Sequence, residues 1–81
     1  MSTVTGNEPK LDHRIIDALI ELYIRWRGES SAVQQTYERW DGSNGEERSH
    51  AYSGYLAALD REERAAGAYS RAIERVARIL A

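Results

Sequence analysis

Tyr52, Leu59, Ala66, Ile73 and Leu80 recur every seven residues, and Tyr55, Tyr69 and Val76 each fall three positions after a member of that series. An α-helix turns once in 3.6 residues, so a seven-residue repeat holds these side chains in one stripe along a single long helix. Such a stripe needs at least one other helix to cover it. The rest of the 81-residue chain is long enough to supply one, and no segment shows the two-residue alternation of a strand. The fold class expected is therefore all-α.

The covering helix lies in the first half. From Ile15 to Trp26 the apolar residues Ile15, Ile16, Leu19, Ile20, Leu22, Tyr23, Ile24 and Trp26 take up about two-thirds of the circumference at ~100° per residue. Only Arg14, Asp17, Glu21 and Arg25 form a polar strip. One neighbour covers about a third of a helix, so a surface this apolar implies a second contact. Ile16, Leu19, Ile20, Tyr23, Ile24 and Trp26 are the residues expected to carry self-association. The spacing Leu19, Trp26, Val33, Trp40 extends the helix towards residue 40, and Asn7, Glu8 and Pro9 supply a cap, an acidic first turn and a tolerated proline at its start. Gly28 followed by Ser31 and Gln34 has the chemistry of a break and restart, but continuity of the spacing favours one helix.

Asp41-Gly42-Ser43-Asn44-Gly45 places five turn-forming residues in succession and marks the reversal of the chain. Ser43 with Glu46, or Asn44 with Glu47, has capping-box spacing. A turn centred near Ser43 sets Trp26 near Leu59, Leu19 near Ala66 and Gly67, and Leu11 and Ile15 near Ile73 and Val76. The low-profile patch Ala65 to Ala68, against the bulky residues 16–24, is where a second hairpin is expected to dock. Glu62 falls on the seam, where a carboxylate needs an arginine or amide partner and can fix the pairing register. The expected organisation is an arm over residues 1–6 and one hairpin domain over 7–81, with helix one about 8–40, the turn 41–45 and helix two about 46–80. Chains this short gain stability from oligomerisation. The expectation is thus an antiparallel two-helix hairpin pairing as a homodimer into a four-helix bundle.

Composition narrows the function classes. With no cysteine there is no disulfide, thiolate zinc site or cysteine nucleophile. The formal charge of −2 gives no global attraction to nucleic acid or anionic membrane. Residues 1–10 are too polar for a secretory signal or transit segment, and no apolar run approaches a membrane span, so a cytoplasmic location without membrane contact is expected. Ten arginines against the single Lys10 suggest a bacterial, high-GC coding source.

Glu47-x-x-His50 has the spacing of a di-iron ligand pair, but the heptad phase turns it outward, and His13 completes no ligand set. Ser49, His50 and Ser53 lack an oxyanion hole and a buried orienting carboxylate. Neither catalytic residues nor a cofactor or metal site are expected. Arg61, Arg64, Arg71, Arg75 and Arg78 form a basic stripe opposite the seam, with Asp60–Arg64 and Glu74–Arg78 spaced as helical ion pairs. That stripe is the candidate partner surface, for another protein or, as an alternative, for nucleic acid.

Two resemblances bear on these readings. Leu11-Asp12 through Leu22 resembles the opening helix of the small helical chorismate mutases, a likeness that implies interior arginines and a lysine on a dicarboxylate. Here Arg14 and Arg25 lie on the polar strip and Lys10 is the only lysine. Trp40-Asp41-Gly42 between two long helices resembles the W-x-G turn of the helical-hairpin proteins exported by type VII secretion systems, which implies pairing as a four-helix bundle. The export signal of that family, a tyrosine with an acidic residue four positions on, has no counterpart after helix two, where Tyr69 is followed by Ile73. The function expected is a non-enzymatic helical interaction or assembly module.

Overall fold

The computed structural model describes residues 13–81, which form two helices, α1 (His13–Asp41) and α2 (Glu46–Leu80), with no strand among them. The expected start of helix one near residue 8, its cap at Asn7, the arm and Leu11 lie outside the described residues. The helices pack side by side in opposite directions: Trp40 meets Tyr52 and Tyr55 near the turn, and Ile15 shares a groove with Val76 at the other end. α1 runs through Gly28 without a break. Gly28 is exposed, and nothing lies within 4 Å of where a Cβ would stand, so its cost to the helix is only that of backbone entropy.

A seven-residue repeat does form the seam, one residue earlier than expected. The buried residues among those described are Ala51, Ala58, Ala65 and Ala72, with Ala58 fully enclosed. Alternating with them, Tyr55, Glu62, Tyr69 and Val76 are half-buried, and α1 answers with Ile15, Leu19, Leu22, Trp26, Val33 and Trp40 at spacings of three, four and seven. The bulkier series Tyr52, Leu59, Ala66, Ile73, Leu80 is displaced by about 100°. Two heptad series stand side by side on α2, and the one with alanine at every seventh position takes the interior because it lets the backbones approach closely. Bulk alone favours the other.

Ile15 lies by Val76 as expected, but at Trp26 the register differs from the expected one. Trp26 reaches Glu62 and Tyr69 rather than Leu59. Two aromatic groups hold this register: Tyr23, Trp26 and Tyr69, with ring centroids 5.6–5.9 Å apart, and Tyr37, Trp40, Tyr52 and Tyr55, with neighbouring centroids 4.9–5.9 Å apart. Such pairs contribute about 0.5–1.5 kcal/mol each beyond area burial.

The turn is built differently from a capping box. Gly45 stands before α2 with φ 64° and ψ −143°, and no side chain caps the helix. This backbone region is open to glycine and strained for residues with a Cβ. Ser43 instead serves α1, its hydroxyl donating to the Trp40 carbonyl at 2.7 Å. Arg48 reaches back to the Ser43 carbonyl at 3.2 Å and lies over the Trp40 ring. Glu46 and Glu47 occupy the first turn of α2, where negative charge is favoured.

Candidate functional site

The hairpin has two broad sides of different chemistry, fixed by which residues flank the seam on each helix. One side is apolar. On α1 it follows Ile16, Ile20 and Tyr23, with Ile24 further out and Tyr37 nearer the turn, and on α2 it follows Tyr52, Leu59, Ala66, Ile73 and Leu80. The contacts Tyr23–Tyr69 and Tyr37–Tyr55 bring these flanks together. Many of the large residues are well exposed: Ile24 62%, Leu80 56%, Ile20 50% and Leu56 46%. No large side chain is fully buried among the described residues.

Of the six residues expected to carry self-association, Ile16, Ile20, Tyr23 and Ile24 lie on this outer surface. Leu19 and Trp26 do not. They belong to the seam within the hairpin, where Trp26 stacks on Tyr69 and donates its indole N–H to Glu62 at 2.7 Å. The small-residue patch is likewise partly spent inside: Ala65 is buried against α1, and the Arg71 guanidinium lies over Gly67. Tyr37, Tyr52, Leu56 and the outward part of the second heptad series complete the apolar side. For Tyr52 and its heptad series the signal is the seven-residue repeat, which is expected in the interior; Tyr37 and Leu56 stand outside that repeat.

The opposite side is basic. Arg25 and Glu29 of α1 line a shallow groove with Arg61 and Arg64 of α2, and Arg14 lines a second groove with Arg75. The stripe therefore gains cations from α1 that a reading of α2 alone does not reveal. Arg61 donates to Glu29 at 3.3 Å across the helices, and Arg64 pairs with Asp60 along α2. The expected Glu74–Arg78 pair is not formed. Among the described residues, Arg71, Arg75 and Arg78 take part in no ion pair.

Glu62 does sit in the seam, and its partners are an indole and a hydroxyl: Trp26 at 2.7 Å and Ser30 at 3.5 Å. A carboxylate accepting from Trp needs no countercharge at a half-exposed position, because water reaches its remaining lone pairs.

The outward disposition of Glu47 and His50 is observed. Both are exposed, beside Arg39 and Ser43 at the turn end, while His13 is exposed at the far end of α1. Ser49, His50 and Ser53 lie on an open surface. Among the described residues no three His, Asp or Glu side chains gather as a metal site, and no helix is long and apolar enough to cross a membrane. The described residues thus present one side rich in exposed apolar residues and one rich in arginine. Comparison with protein-family models, curated proteins and solved structures finds no match to this chain.

Proposed function

We propose that this chain is a non-enzymatic assembly module that pairs with a second copy through its apolar side to form a four-helix bundle. The observation that carries the reading is the second heptad series on α2, Tyr52, Leu59, Ala66, Ile73 and Leu80, left on the same side as Ile16, Ile20 and Tyr23. Isolated exposed leucines are ordinary, but exposed apolar residues grouped over positions 16–24 of α1 beside a heptad series of α2 are the mark of an interface. Arg27, Ser30 and Gln34 separate that group from Tyr37. The seven-residue period is also the one a second two-helix unit meets knob for hole.

Two substitutions test the reading. Ile20→Asp and Ile73→Asp place a carboxylate on the apolar side without touching the seam. Each should shift the chain to monomer while Arg64→Asp, on the opposite side, leaves its mass in solution unchanged. Retention of a dimer in both apolar-side variants would exclude this face as the interface.

A second reading, of an anionic partner such as nucleic acid, rests on Arg71, Arg75 and Arg78 lying on the opposite side without ion pairs. Binding of a duplex oligonucleotide at low salt, falling steeply as salt rises, supports it. Absence of binding at low salt removes it.

A further inference from the structure

Aromatic groups occupy the seam around Trp26 and again beside the turn, but between Ile15 and Leu22 the residues facing across it are aliphatic or small. The result is an open groove of about 410 Å³ at the end of the hairpin away from the turn. Ala72 and Ala18 keep it clear of bulk, and Leu19, Leu22, Val76 and Ile79 form its apolar lining. Ile79 is 43% exposed. The volume lies within the range of small-molecule sites.

The groove opens on the basic side. Arg75 lines it directly, with Arg71 and Arg78 four residues before and three after on the same helix, and none of the three takes part in an ion pair among the described residues. An apolar trough beside an unpaired guanidinium has the complement of an amphipathic anion: chain in the trough, head group on the arginine. We propose that this groove binds a single-chain aliphatic carboxylate. Its length sets the chain. Ala72 to Ile79 covers seven residues, about 10 Å of helix. An extended chain advances about 1.2 Å per bond, so the trough holds at most about eight carbons, with Arg75 midway along its rim. A third helix is a poorer fit, because its own contact stripe runs longer than two turns.

Sodium octanoate is the probe, titrated into the full chain below its micelle concentration and followed by methyl NMR. The expected result is saturable movement of the Leu19, Leu22, Val76 and Ile79 methyl signals, with Ile20 and Ile73 on the opposite side unmoved. Octylammonium should bind at least about tenfold more weakly, and Arg75→Glu should lower octanoate affinity by about tenfold or more. Ala18→Trp, at an exposed position that fills the trough, should abolish binding while helicity is kept. Equal affinity for octanoate and octylammonium, undiminished octanoate binding in either variant, or the absence of saturable movement in the wild-type chain would overturn the assignment. Because the groove lies opposite the proposed pairing side, the result is independent of whether the chain dimerises.

Discussion

The Trp26 indole N–H donates to the Glu62 carboxylate at 2.7 Å, joining α1 to α2 across 36 residues of sequence. At other heptad positions of α2 the seam holds alanine, tyrosine or valine, any of which tolerates a shifted register, whereas one indole and one carboxylate meet in a single register. Hydrogen bonds to charged groups contribute about 1.5–3 kcal/mol when buried, and this one is partly exposed, so about 1–2 kcal/mol is expected. A double-mutant cycle of Trp26→Phe and Glu62→Leu, measured by urea denaturation, should give a coupling energy of that size. Strict additivity would mean that the bond is immaterial to stability.

Ala58 is fully enclosed between the helices, while its neighbour Ala57 is exposed. Ala58→Leu should therefore destabilise by about 1–3 kcal/mol, because extra methylenes force the backbones apart. Ala57→Leu should stay within about 0.5 kcal/mol of the parent. The pair isolates the phase of the seam: equal effects would show that the alanine series is not the contact line.

Gly45 and Gly28 should respond in opposite directions to alanine. Gly45 has φ 64°, and alanine there is expected to cost about 1–3 kcal/mol. Gly28 lies within α1 with open space around it, so Gly28→Ala should stabilise by about 0.5–1 kcal/mol. Thermal unfolding monitored by circular dichroism distinguishes the two. A destabilised Gly28→Ala would reveal a hinge that the continuous helix does not show.

The ion pairs are expected to matter little for stability. Arg61–Glu29 and Arg64–Asp60 are both exposed, and exposed pairs seldom exceed about 1 kcal/mol. Glu29→Gln should change stability by less than that, with the difference shrinking further in high salt. A loss larger than about 1 kcal/mol would place the pair in a more enclosed environment than its exposure indicates.

Period and punctuation were legible in the chain; phase was not. Gly42, Ser43 and Gly45 mark the turn, and the expected span of helix two, about 46–80, agrees with Glu46–Leu80. The assignment of Tyr52 and Ile73 to the interior fails because hydrophobicity ranks bulk above fit, whereas Leu59 of the same series is half-buried. A two-helix contact is controlled by how closely the backbones approach, and Ala51, Ala58, Ala65 and Ala72 permit the closest approach. Leu19 and Trp26 were placed on the outer surface for a related reason: on a helix that is apolar over two-thirds of its circumference, no polar residue marks where the inner face ends. The groove beside Arg75 depends on which residues of α1 and α2 face one another, a relation that periodicity within either helix does not contain.

The most direct test of the assembly proposal is the mass of the wild-type chain in solution, measured by light scattering over a concentration series with helicity recorded in parallel. Pairing through the apolar side requires twice the 9.2 kDa of one chain, falling towards a single chain only on dilution. A fully helical species of 9.2 kDa at every concentration would contradict the proposal and leave Ile16, Ile20, Ile73 and Leu80 as a surface for some other protein.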